Sequence, residues 1–133
     1  MCDKDGTAVA AIHAGWRSLV SGVIENTLDL FTQKPEQLMT WLGPAIGPKV
    51  YEVGDEVRAA FLEKDPEAEL AFVPSPNDRW LMDLYLLARQ RLNHKGVTAI
   101  YGGDHCTYTE NDHFFSHRRD PNTGRQVSLI YFS

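Results

Sequence analysis

Six residues, Gly43-Pro-Ala-Ile-Gly-Pro48, constrain this chain more than any others. Proline fixes φ and removes a backbone donor, while glycine lets backbones approach closely. No helix or strand runs through such a stretch. The chain must therefore fold as two runs of regular structure joined by a stiff loop. Ahead of the loop, Thr7 to His13 is small and apolar and suits a buried strand. Leu19, Val20, Val23, Ile24, Leu28 and Phe31 recur at helical spacing, so one amphipathic helix is expected to about Thr32, capped by Ser18 or Ser21. Leu38 to Leu42 is a short strand. The opening residues read as a hairpin that turns at Lys4-Asp5-Gly6 with almost no first strand, as if cut in its middle.

Beyond the loop, Val53 to Glu63 reads as a helix and Lys64 to Asp78 as a polar surface loop. Trp80 to Leu92 reads as a second helix, stopped by Asn93-His-Lys-Gly96. Val97 to Tyr101 is a strand, Asp120 to Gly124 a turn, and Gln126 to Phe132 a last strand. Strands alternating with helices predict an α/β (mixed α+β) fold. A length of 133 residues, with 43% hydrophobic and 23% charged residues, predicts a single domain over 1–133 with a substantial core.

A net charge of −5 argues against nucleic-acid partners, whose binding rests on neutralising phosphates. Small anions remain open, since they need only a local cationic pocket. No apolar run reaches the length of about 20 residues that spans a bilayer. With no signal-like start, a cytoplasmic protein with free thiols at Cys2 and Cys106 is expected.

His13 stands at the end of the first apolar run, before a Gly15-Trp16 turn and Arg17 at a helix start. Helix N-termini favour anions, so this corner suits catalysis; a core histidine bonded to backbone is an equal alternative. His105, Cys106, His113 and His117 cluster late in the chain, but adjacent residues on a strand face opposite ways and disfavour a metal site built from these alone. Arg118-Arg119 reads first as a solvated surface pair.

Five motifs then stand in the order of one known family. They are His13-Ala-Gly-Trp-Arg17; Trp41-Leu-Gly-Pro-Ala-Ile-Gly-Pro48; Tyr51-Glu-Val-Gly54; Gly102-Gly-Asp104 with Cys106-Thr-Tyr-Thr-Glu110; and Phe114-Phe-Ser116 with Arg118-Arg-Asp120 and Thr123-Gly-Arg125. In these the chain resembles the YfiH family, also called the multicopper polyphenol oxidase or laccase-domain family, over its C-terminal half. The resemblance implies a layered sandwich with a mixed β-sheet inside and helices outside, its N-terminal part missing here. It implies a zinc-dependent purine nucleoside phosphorylase acting on adenosine, inosine or methylthioadenosine with phosphate, with some adenosine deamination. Family members hold the metal by two histidines and a cysteine. His13 matches one, as metal ligand and catalytic residue. The other two belong to Gln-Val-His and Thr-Ala-Asp-Cys segments, which lie N-terminal to this chain; Cys106 matches a different cysteine. His117 replaces a frequent tyrosine and Ser18 a frequent glycine. Arg17, Thr107 and Arg118 are the candidates for substrate binding.

Two rival readings accompany this one. Copper-dependent phenol oxidation would need more His and Cys ligands than five histidines and two cysteines supply. A non-enzymatic structural half, needing a partner segment or self-associating through its N-terminal edge, follows from the half-hairpin.

Overall fold

The computed structural model describes residues 1–132. Two three-stranded sheets carry the fold. In the first, β1 (Cys2–Asp3) pairs antiparallel with β2 (Leu38–Leu42), which pairs parallel with β6 (Ala99–Gly102). In the second, β5 (Arg79–Met82) lies between β3 (Glu52–Val53) and β4 (Phe72–Ser75), all antiparallel. The helices are α1 (Trp16–Val20), α2 (Val23–Leu28), α3 (Asp55–Lys64) and α4 (Leu84–His94). One mixed and one antiparallel sheet, with helices packed against them, give the expected α+β fold. No helix among the described residues is long and apolar enough to cross a membrane.

The N-terminal hairpin forms. Met1 and Ala10 exchange two hydrogen bonds, and Cys2 bridges Val9. Strand β1 is thus flanked on both sides, by Val9 and by β2, which removes the free edge on which self-association there was expected. Past Val9 the segment to Gly15 is irregular rather than a strand. Asp3, 2% exposed, organises the turn. Its carboxylate accepts the Thr7 hydroxyl at 2.6 Å, the Ala8 amide at 2.9 Å and the Thr7 amide at 2.7 Å. These bonds hold its carboxyl below the ordinary value despite burial. A depressed folded pKa means the contribution is full above the unfolded value of about 3.9 and is lost as pH falls through the folded one. The gap in melting temperature between the native chain and Asp3→Asn should therefore narrow below about pH 4; parallel acid profiles would refute it.

The expected helix 19–32 is two helices. Gly22, at φ 89°, sits in the left-handed region and breaks it, and neither serine caps: the Ser18 hydroxyl lies 3.0 Å from both the His13 and the Gly15 carbonyl instead. The expected surface loop 64–78 contains a 3-10 turn, Pro66–Ala71, and β4, with Ala68, Ala71 and Phe72 buried. The expected helix from Trp80 begins only at Leu84. Asn77 and Asp78, both at positive φ, turn β4 into β5, and Asp83 caps α4 by accepting the Leu86 amide at 2.9 Å. At its far end Gly96 is left-handed; the Gly96 amide donates to Asn93 and the Val97 amide to Leu92, a Schellman stop.

The core gathers Leu19, Leu38, Phe61, Met82, Leu92 and Val97, each almost wholly buried. Each such side chain contributes about 1.5–3 kcal/mol relative to exposure. Phe61 and Phe72 meet at 6.0 Å between ring centres, and Arg91 pairs with Glu25 at 2.6 Å, fastening α4 to α2. The last expected strand does not form. Among the described residues, 126–132 run without a ladder, and Val127, Leu129 and Tyr131 are exposed. A strand needs a neighbour to satisfy its backbone, and these residues have none.

Candidate functional site

The Gly43–Pro48 loop is held against the segment after β6. Ala45 bridges Cys106, the Thr107 amide donates to Ala45, and the Gly47 amide lies 3.2 Å from Cys106 Sγ. From α4, the Tyr85 hydroxyl accepts the Ala45 amide at 2.7 Å and stands 3.1 Å from the Gly43 carbonyl and 2.7 Å from that of His105. Between them opens a cavity of about 330 Å³ lined by Lys49, Tyr85, Asp104, His105, Cys106 and Glu110.

Charge in this cavity is organised. His105 Nδ1 meets Glu110 at 3.0 Å; that bond holds the imidazole above its ordinary value. Glu110 is held below its own, first by the Cys106 amide and then by His105. Burial pushes the Cys106 thiol up, but the Thr109 hydroxyl and the amides of Thr109, Gly47 and Tyr108 outweigh it and bring it below its ordinary value. Among the expected late cluster, His105 and His113 instead pack on Phe114, and the four residues do not converge on one ligand position.

A second locus lies where the loop leads into β3. Tyr51 is buried, and Arg118 lies over its ring at 5.2 Å while donating to the Glu52 carbonyl at 3.0 Å. Burial pushes the Tyr51 phenol up, while Arg118 and then Arg17 pull it back. Two arginines 101 residues apart in sequence (118 − 17) thus stand close enough to one phenol to act on its charge. Arg17 lies over the Trp16 ring at 4.5 Å. Neither arginine pairs with a carboxylate among the described residues, unlike Arg58, Arg79, Arg91 and Arg119. Uncompensated guanidinium pairs beside an aromatic hydroxyl suit an anion. Tyr51 had no role in the sequence reading; its place in the Tyr51-Glu-Val-Gly54 motif was the available signal.

His13 is exposed on the irregular stretch before α1, not the core histidine of the alternative reading. Its Nε2 lies 3.3 Å from where a Cβ on Gly15 would sit, so Gly15 leaves the ring its space. Thr107 is half-buried, and its carbonyl is held by Arg119, which also takes the carbonyls of Tyr108 and Phe114, all at 2.9–3.0 Å. The structure thus sets Arg118 over Tyr51 and Arg17 over Trp16 at the start of α1, and holds the Thr107 carbonyl on Arg119, the residue after Arg118.

Metal ligands are sparse. Among the described residues the only group of three is Asp65, Glu67 and His94, with ligand atoms within 4.8 Å of one another. These residues are separated in sequence and carried no motif. His94 Nδ1 faces Asp65 at 3.2 Å and Nε2 faces Glu67 at 2.6 Å. A metal takes one ring nitrogen, so binding would have to displace one of these ion pairs. No such group includes His13, so the residues described supply one donor there and not a closed zinc site.

The whole chain, residues 1–133, matches the family described as multi-copper polyphenol oxidoreductase laccase. It is 56% identical over 130 residues to the purine nucleoside phosphorylase YfiH of Shigella flexneri and 55% identical to that of Escherichia coli, covering 98% of this chain and 53% of each relative. The crystal structure of Neisseria meningitidis protein NMB0706 superposes with a TM-score of 0.86 at 49% identity, covering 90% of this chain and 49% of that one. The chain spans about half the length of the curated relatives it matches.

Proposed function

Since this chain belongs to the multi-copper polyphenol oxidoreductase laccase family, the family of the YfiH proteins, we propose that it carries the phosphate-binding part of a purine nucleoside phosphorylase. The observation that supports the reading is Arg118 over the buried Tyr51 ring, paired with no carboxylate among the described residues, with the Arg17 charge also acting on that phenol. Phosphorolysis needs a phosphate held against the anomeric carbon of a nucleoside while the purine leaves. Two guanidinium groups supply forked donors for that phosphate, and the Tyr51 hydroxyl supplies one more without adding charge. In this reading Arg118, fixed by the Glu52 carbonyl, sets the anion's position, and Arg17, at the start of α1, supplies the second guanidinium. Thr107, in the turn that Arg119 fixes, is proposed to line the same pocket.

Zinc, when bound, would assist departure of the purine or, in adenosine deamination, activate water. His13 would supply one of its ligands, with the others coming from outside the described residues. Phenol oxidation by several coppers finds less support, because only one three-ligand group occurs among the described residues, and its members are already ion-paired.

The test is a phosphate-dependent assay of inosine, adenosine and methylthioadenosine with the purified 133-residue chain, with and without zinc, beside calorimetric titration with inorganic phosphate. The chain is expected to bind phosphate and to turn over little or no nucleoside. Robust turnover free of any longer form would overturn the assignment of missing ligands. Absence of phosphate binding would overturn the anion site.

A further inference from the structure

His94, the last residue of α4, meets a carboxylate at each ring nitrogen. Nε2 lies 2.6 Å from Glu67, and Nδ1 lies 3.2 Å from Asp65 Oδ2. A neutral imidazole carries one N–H. It can donate to one of the two carboxylates, and its bare lone pair then faces the other. Two lone pairs across 3.2 Å call for a cation between them, either a second proton or a metal ion. The two contacts divide the roles. At 2.6 Å the Glu67 contact is a short charge-assisted hydrogen bond, so the N–H belongs on Nε2. The Asp65 contact is longer and matches two ligands on one metal: bonds of about 2.0–2.2 Å to nitrogen and oxygen set those atoms about 3.0–3.4 Å apart.

The surroundings hold this arrangement in place. Asp65 caps the 3-10 turn Pro66–Ala71: its Oδ1 accepts the Glu67 amide at 2.9 Å, which leaves Oδ2 for the ring. One turn earlier on α4, Gln90 holds the Glu67 carbonyl at 2.8 Å. The carbonyl end of this 11-residue helix favours a positive charge. Two flanking cations are engaged elsewhere, Arg91 with Glu25 and Lys95 with Asp29. Metal-bound histidines commonly donate their other ring N–H to a carboxylate, which fixes the ring and its tautomer. We propose that His94 Nδ1 and Asp65 Oδ2 bind a divalent transition-metal ion, with Glu67 orienting the imidazole through Nε2–H. Imidazole beside carboxylate suits zinc or nickel, with water in the open positions. The ion displaces the Asp65 ion pair and keeps the Glu67 one. The site shares no residue with the proposed anion site or with His13, and it does not rest on the phosphorolysis reading.

Titration of the 133-residue chain with zinc chloride tests it, read by calorimetry and by the ¹⁵N resonances of the imidazoles. One equivalent should bind at His94, moving its Nδ1 resonance while Nε2 stays protonated. His94→Gln and Asp65→Asn should each lower zinc affinity at least tenfold. Asparagine keeps the oxygen that caps the 3-10 turn, so the fold is retained, and circular dichroism should show this. Glu67→Gln should lower the affinity about tenfold by loosening the ring. No zinc-dependent shift at His94, equal affinity in the His94 and Asp65 variants, or zinc held at His13 or Cys106 in place of His94 would each overturn the proposal.

Discussion

The double variant Arg17→Met, Arg118→Met is expected to lose phosphate affinity by about 100-fold, and each single variant by about tenfold. A hydrogen bond to a charged group contributes about 1.5–3 kcal/mol, and the low end applies because both guanidinium groups are exposed. Methionine keeps much of each apolar stem, so packing on Trp16 and Tyr51 survives while the donors go. Lysine at either position should restore part of the affinity as a point charge but lose the forked geometry. Titration with phosphate at fixed ionic strength reads the effect. The double variant should lower the melting temperature only slightly, since neither arginine pairs with a carboxylate among the described residues and the one bond lost is the exposed Arg118 contact to the Glu52 carbonyl. Equal phosphate affinity in the variant would show that the two arginines do not form one anion site.

Gly102→Ala is expected to be the most damaging single substitution for the fold, destabilising by about 3 kcal/mol or more. Gly102 ends β6 at φ 72°, where a side chain is strained in any surroundings. The space is also closed: a Cβ there would lie 2.5 Å from the Leu42 carbonyl oxygen and 2.7 Å from the Trp41 indole nitrogen. The Leu42 oxygen is backbone, and it already accepts the Gly103 amide at 2.9 Å, so it has no room to yield. Relief would part β2 from β6 at the Leu42–Gly102 pair and disturb the turn that carries His105 and Cys106. Urea denaturation should show a lowered midpoint with an unchanged slope. Gly6→Ala is the contrasting case. It also sits at positive φ, 70°, but meets nothing within 4 Å, so only the conformational part of the cost should appear.

The comparison of those two glycines shows how the sequence could and could not be read. The Gly43–Pro48 loop, strand Leu38–Leu42 and the stop at Gly96 were legible because each rests on local backbone chemistry. The start of α4 was misread because Leu81, Leu84, Tyr85, Ala88 and Leu92 share a helical face, yet strand pairing with β3 and β4 claims Leu81 and its neighbour Trp80. Periodicity cannot register a neighbour that arrives from 27 residues away, as Val53 does against Trp80 (80 − 53). The missing last strand is the reverse case: Gln126 to Phe132 has the right composition and lacks a partner.

The site divides along the same line. His13, Arg17 and Arg118 were picked out by residue type and motif. Tyr51, over which Arg118 lies, is an aromatic after a proline loop, indistinguishable by sequence from a wall of the core. The triad of Asp65, Glu67 and His94 depends on α4 ending beside the 3-10 turn, where Gln90 donates to the Glu67 carbonyl at 2.8 Å. Nothing local to any of the three announces that arrangement.

One phenolic oxygen, that of Tyr85, stands within 3.1 Å of two carbonyls, Gly43 and His105, while receiving the Ala45 amide. A hydroxyl has one proton to give. The loop before β3 and the turn after β6 therefore share a single proton, and the Tyr85 oxygen is the point at which three separate segments, α4, the proline loop and the turn after β6, answer to one another.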